Sequence, residues 1–221
     1  MATSLSEDRS DGRAPAVPPV VSAEEWERAR EDLLTDEKEL TRALDRLAAK
    51  RRRLPAVRID TAYTFAGPDG SRTLLELFEG QQQLAVYQFM DVGPDAFCPG
   101  CTHLTENVTD LPDLVEGGVA WATVSDMPLA QMAGYWAEKG WDVPYYSSRD
   151  TTFSADMGTG GGFLLSMFLR DGDTVYRTYS TTQRGVDRVL FVNNVLDLAP
   201  YGRQEAWEDS PEGYPQHPTY G

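Results

Sequence analysis

Cys98 and Cys101 are the only cysteines in 221 residues, and they stand in the run Cys98-Pro99-Gly100-Cys101. On a helix, two residues three apart lie about one turn from each other, within reach of an intramolecular disulfide. The thiolate is the reactive form of such a pair, so the surroundings of the first sulfur decide the chemistry. If Cys98 sits at a helix N-terminus, unpaired backbone N–H groups and the macrodipole favour its thiolate. Pro99 then falls at the first helical position, where its missing N–H costs nothing and its fixed φ suits the turn. The same spacing serves zinc sites and inert buried thiols, so context must separate the three.

A closed structural zinc site needs four ligands, and the chain offers two cysteines with His103 and His217. On a helix Cys98 and Cys101 project within about 60° of each other, whereas His103 points roughly 140° away from Cys98. His217 stands in a proline-rich stretch. A one-chain Cys₂His₂ site is disfavoured, no metal or cofactor is expected, and His103 reads as a surface or helix-packing residue. Asp91 and Asp95 lie just before the dithiol. Either could relay protons or raise a thiol pKa, and Asp91 reads equally as a solvated loop carboxylate.

The elements that must hold the dithiol are legible around it. The apolar run Leu84 to Met90 predicts a buried strand, rich in residues that suit a pleated, packed surface. A loop with Gly93 and Pro94 leads from it to Cys98, and the dithiol helix is expected to kink or end near Pro112. Strand, short loop, then C-x-x-C opening a helix is the thioredoxin-like presentation of a redox dithiol. Val119 to Ser125 predicts a second buried strand, and Pro128 opens a helix that runs through Met132, Tyr135 and Trp136 to Gly140. Trp141 to Ser148 reads as a strand-like passage. Thr159-Gly160-Gly161-Gly162 leads into a strand rather than a helix, so a phosphate loop fails its structural test. A hairpin follows, with strands 163–169 and 174–181, and a last helix over about 185–198.

Upstream, Ser22 and Glu25 form a capping box, with Val21 and Trp26 at the positions of a hydrophobic staple. Trp26, Leu33, Leu40 and Leu47 recur every seven residues, predicting an amphipathic helix over 22–53 that Arg51, Arg52 and Arg53 close. The stripe is expected to bury Trp26 and Leu33 against the chain's own domain or a second subunit, which makes a homodimer compatible with the sequence. Tyr63-Thr64-Phe65 and Gly67-Pro68-Asp69-Gly70 predict a strand and hairpin turn, and Thr73 to Phe78 a short helix. The whole predicts a mixed α/β sheet with helices on both faces and the long N-terminal helix added. Residues 1–20 are expected to be disordered, 21–200 to form the domain, and 201–221 to be a polar tail.

The chain is 41% hydrophobic and 25% charged, ordinary for a globular protein, with a net charge of −15. That balance argues against nucleic acid or an anionic membrane surface as the main partner. No apolar run reaches the length of a membrane span, and the N-terminus lacks the apolar core of a signal peptide. A cytoplasmic protein is expected, in which thiols stay reduced unless they cycle.

Five separated segments, VSAEEWERAR…DEKELTRALDRLAAKRRRLP, LAVYQFM…GPDAFCPGCTHLTEN, WDVPYYSS, FLRDGDTVYRTYST and LDLAPYGRQEAWED, together resemble the bacterial domain-of-unknown-function family numbered 899. The resemblance covers about residues 20–208 and implies a thioredoxin-like fold and a dithiol–disulfide oxidoreductase. It implies Cys98 as attacking thiol and Cys101 as resolving thiol, acting on an unidentified disulfide or thiol substrate. Thioredoxins carry a cis-proline before the strand facing the dithiol; here Gly161 to Leu164 occupies that stretch, and no proline stands between Pro144 and Pro200. Two other classes compete. A peroxiredoxin-type peroxidase usually has Thr or Ser three residues before the attacking cysteine, where this chain has Asp95. A thioredoxin-like binding module would retain the fold without redox turnover.

Overall fold

The computed structural model describes residues 17–217, so the expectation of disorder up to residue 16 lies outside the described residues. Two compact units divide them: residues 40–192, and residues 17–39 with 193–217.

The first helix, α1 (Ala23–Arg51), starts where the capping box places it. Ser22 Oγ accepts from the Glu25 N–H at 3.2 Å, while the Ser22 N–H donates to Glu25 Oε2 at 3.0 Å. These reciprocal bonds satisfy two groups that a helix start leaves unpaired. Burial of its stripe against the chain's own domain, one of the two expected covers, is not found. No residue of α1 is buried, and Trp26, Leu33, Leu40 and Leu47 are all exposed. Seven-residue spacing fixes which side chains share a face but not what covers that face.

Next come β1 (Val57–Ile59), which the sequence gives no sign of, and the hairpin β2 (Thr64–Gly67) and β3 (Gly70–Thr73). Gly67 pairs with Gly70 across the Pro68-Asp69 turn. The short helix expected from Thr73 is a single 3-10 turn, Glu76–Phe78, because Thr73 still belongs to β3; its hydroxyl accepts the Glu76 N–H and donates to Glu76 Oε2 at 2.9 Å, capping the turn from outside. The central strand β4 (Gln83–Gln88) leads to α2 (Pro99–Glu106). That helix stops well before Pro112, where a kink or end was expected. Asn107 ends it, its side-chain amide donating to the His103 carbonyl at 2.8 Å. Asp110 turns into the left-handed region at φ 55°, and α3 (Leu111–Glu116) starts afresh with Pro112 in its first turn.

The second buried strand, β5 (Val119–Ser125), is followed by α4 (Leu129–Lys139) and β6 (Tyr145–Ser147). Gly140 caps α4 at φ 68°, with open space where a Cβ would stand. The left-handed backbone itself is therefore the whole obstacle to a side chain here. Gly140→Ala should cost about 1 kcal/mol in equilibrium unfolding, while Gly134→Ala, inside the same helix and also facing open space, should cost nothing or add stability.

A further helix, α5 (Phe153–Met157), was not expected; its five residues are too few to carry a period. The hairpin strands are β7 (Leu164–Asp171) and β8 (Thr174–Thr181). The last expected helix is divided. Residues Gln183–Val189 form 3-10 turns, extended Leu190 interrupts them, and only α6 (Phe191–Leu196) is α-helical.

Among the described residues the strands form one mixed sheet in the order β1-β8-β7-β4-β5-β6-β2-β3. β4, β5 and β6 run parallel, and β7 lies antiparallel on the other side of β4 with β8 beyond it. Alternation along β4 sends Leu84 and Val86 into one core and Tyr87 into the other. Helix α5 and the turn at 76–78 cover the first face, and α2 and α4 cover the second. Parallel strands joined through a helix that follows the central strand, with an antiparallel hairpin beside it, make this a thioredoxin-like fold. No helix among the described residues is long and apolar enough to cross a membrane.

In the other unit, the segment after α6 is knit by its own polar contacts. Arg203 holds Asp197 through Nε at 2.6 Å and Nη2 at 2.7 Å, and Glu208 accepts the backbone N–H groups of Arg203 and Glu205. Tyr201 and Tyr214 pack edge to face, and Glu205 bridges His217.

Candidate functional site

The dithiol sits where β4 hands the chain to α2. Cys98 is the N-cap, with extended backbone at φ −61° and ψ 117°, and Pro99 opens the helix. The Cys98 carbonyl accepts both the N–H and the hydroxyl of Thr102, which fixes the first turn. Both thiols are free. Cys98 is 6% exposed and Cys101 fully buried.

The two sulfurs have opposite electrostatics. The Cys101 thiol beside it favours charge on the Cys98 sulfur, the Cys101 backbone N–H donates to it at 3.3 Å, and the Gly100 N–H adds to the effect. Against the cost of burial, these bring the Cys98 thiol down to about 6. The neighbouring Cys98 sulfur, together with desolvation, pushes the Cys101 thiol up. One sulfur is prepared to hold charge and the other to keep its proton.

Around them lies an aromatic wall. Phe97 stacks on Tyr135 with centroids 3.5 Å apart and planes within 3°. The Tyr135 hydroxyl bonds that of Thr102 at 2.7 Å, tying α4 to the turn that presents Cys98. Phe89, Trp136, Trp141 and Tyr145 continue the wall by edge and tilted contacts. Beneath the helix, Tyr87 contacts Phe89, Trp121 and Phe163. Phe163 stands immediately before β7, in the stretch where thioredoxins carry proline.

The remaining residues singled out from sequence are placed elsewhere. Asp91 Oδ1 accepts the Gly93 N–H at 2.9 Å, so this carboxylate shapes its own loop. Asp95 is exposed. His103 lies on α2 and His217 in the other unit. A cleft of about 860 Å³ is lined by Thr105, Glu106, Tyr145 and the Gly67–Gly70 turn among others, but by neither cysteine. The sequence marks Tyr135 only as a residue of its helix and assigns Tyr87 and Thr102 no part in the site. Tyr87 is reachable by alternation, since it shares a core face with Phe89, the residue just past β4, toward the dithiol helix; the contact of Tyr135 with Thr102 spans 33 positions and has no local signature.

Residues 15–220 match the family described as bacterial protein of unknown function, DUF899, and the chain belongs to that family. No curated protein matches it by sequence. Among solved structures it is similar to peroxidoxin BcpB from Mycobacterium tuberculosis, with 17% identity over 62% of this chain and 94% of that one, and a TM-score of 0.47. A mutant of PrxQ from Xylella fastidiosa aligns with 14% identity over 63% of this chain and 94% of its own, with a TM-score of 0.43. A thioredoxin-like protein from Bacteroides caccae aligns with 16% identity over 71% and 56% of the two chains, with a TM-score of 0.40.

Proposed function

We propose that this member of DUF899 is a dithiol–disulfide oxidoreductase, with Cys98 as attacking thiolate and Cys101 as resolving thiol. The observation that carries the reading is the opposed ionisation of the pair, with Cys98 capped by helix N–H groups and brought down to about 6 while Cys101 is pushed up.

In the reaction, the Cys98 thiolate attacks one sulfur of a substrate disulfide. A bond forms between Cys98 Sγ and that sulfur, and the other substrate sulfur leaves as a thiolate. Cys101 then gives up its proton and attacks Cys98 Sγ, forming the Cys98–Cys101 disulfide and releasing the second substrate sulfur, which takes up a proton. Two electrons pass from the enzyme dithiol to the substrate. An external dithiol of lower potential returns them by attacking Cys98 Sγ and expelling Cys101.

With a small aromatic disulfide as probe, the reduced protein should release two equivalents of aromatic thiol per chain and acquire one intramolecular disulfide. Dithiothreitol should restore it through repeated cycles, followed by intact mass. Release of one equivalent with a persistent adduct, or none, would remove the oxidoreductase reading and favour a binding module. Consumption of hydrogen peroxide at a rate exceeding that of the disulfide would favour the peroxidase, which Asp95 three residues before Cys98 argues against.

A further inference from the structure

Tyr87 is fully buried, yet its hydroxyl has no hydrogen-bond partner. Buried hydroxyls almost always find one, because leaving the group unpaired forfeits its hydration without return. Its ring is held by Phe89, Trp121 and Phe163, and it shares a core cluster with both thiols. The group its hydroxyl approaches is the Cys101 sulfur, without closing a bond of good geometry. The Met90 N–H already donates to that sulfur at 3.4 Å. Two donors are thus directed at the more deeply buried of the two sulfurs, which in the reduced protein is a neutral thiol and a poor acceptor.

Resting on the oxidoreductase reading, we propose that Tyr87 donates a hydrogen bond to Cys101 when that sulfur carries negative charge during thiol–disulfide exchange. Charge appears on Cys101 twice in a cycle. In resolution, its proton leaves before the Cys101–Cys98 bond forms and the substrate sulfur departs. In re-reduction, an incoming thiolate bonds to Cys98 Sγ and the Cys101–Cys98 bond breaks, leaving Cys101 with the electron pair. In both, the tyrosine keeps its own proton; burial and the neighbouring thiols push its ionisation well up, so it serves as donor and never as base. Cys98 on the same helix and Tyr87 on the strand beneath are the titratable groups that bear on Cys101. The rings around Tyr87, Phe89, Trp121 and Phe163, carry no charge.

The hydroxyl is therefore unsatisfied in the resting state and satisfied in the reacting one, a difference that favours the charged species. Tyr87→Phe tests this in single-turnover mixing with a small aromatic disulfide, where the first release of thiol reports Cys98 and the second reports Cys101. The first phase should be unchanged. The second should slow by roughly tenfold or more at neutral pH, as befits a lost hydrogen bond to a charged sulfur, with its pH midpoint displaced upward. Reduced Tyr87→Phe should melt at the same temperature as the parent or higher, since no bond is lost in that state. A second phase unchanged in rate and pH profile would overturn the proposal. So would slowing of both phases together with a lower melting temperature, which would mark Tyr87 as packing alone. A parent protein with no second phase would instead remove the oxidoreductase reading itself.

Discussion

Cys101→Ser should form a lasting mixed disulfide with a small aromatic disulfide at pH 6, and Cys98→Ser should form none. Magnitudes set the choice of pH. With its thiol at about 6, Cys98 is roughly nine-tenths ionised at pH 7, about thirtyfold more than a cysteine at the unperturbed ~8.5. Thiolates of low pKa are also weaker nucleophiles, with a Brønsted slope of about 0.4–0.5, which returns most of that gain. At pH 6 an ordinary thiol is under about 1% ionised while Cys98 is about half ionised, and a net advantage of roughly tenfold survives. Alkylation of Cys98 against pH should accordingly rise through a midpoint far below that of a free thiol. Serine is the right replacement at Cys101 because its hydroxyl retains a donor toward Cys98 Sγ, whereas Cys101→Ala should displace the midpoint upward. In Cys98→Ser the remaining thiol is fully buried and out of reach of the probe. Equal labelling of both cysteines, measured by mass, would leave the asymmetry without support.

What made the dithiol legible is local. Strand, loop, Cys-Pro-Gly-Cys and helix lie within some twenty consecutive residues, and each step has a short-range cause: apolar β-formers for β4, glycine in the loop, proline at the first helical position. The two buried strands, the hairpin of β7 and β8, and the capping box of α1 are legible for the same reason. Where local signals were weak, the reading failed. Pro112 is the conspicuous helix breaker after the dithiol, but an asparagine side chain and one left-handed aspartate end the helix first. α5 escaped notice because five residues show no period.

Long-range pairing was the less legible part. Nothing in Val57–Ile59 announces that it will pair with β8, since a three-residue strand is specified by its partner and not by its own pattern. The roles of Tyr87 and Tyr135 likewise depend on neighbours far away in sequence. Leu84 to Tyr87 of β4 read as one apolar run, and only with α2 placed over one face does the hydroxyl of Tyr87 become distinct from the methyls of Val86. The stripe on α1 is the opposite case, a strong local period whose side chains the described residues of this chain leave exposed.

That contrast separates two tryptophans and gives a second large expected effect. Trp26 anchors the stripe of α1 by sequence but is 57% exposed, whereas Trp136, marked in the sequence only as one apolar residue of its helix, is 2% exposed. Trp136 lies at the middle of the wall beside the dithiol, with ring centroids 4.9 Å from Trp141, 5.1 Å from Tyr145 and 5.8 Å from Phe89. Its Nε1–H donates to the Val143 carbonyl at 2.8 Å and so fastens α4 to the segment entering β6. Trp136→Ala should lower the free energy of unfolding by about 3–5 kcal/mol, from lost burial and the cavity left between α4 and the sheet. Trp136→Phe keeps most of the ring and removes the N–H, so it should cost roughly 1–3 kcal/mol, the cost of stranding a buried carbonyl. Trp26→Ala should stay within about 0.5 kcal/mol, as for an exposed substitution. Urea unfolding of the reduced variants, with slopes compared to establish that the denatured states match, measures all three. A loss from Trp26→Ala as large as that from Trp136→Ala would mean that the α1 stripe is buried in solution. A tolerated Trp136→Ala would mean that the wall is held by its other rings, and that the Tyr135–Thr102 contact presenting Cys98 does not depend on the packing behind it.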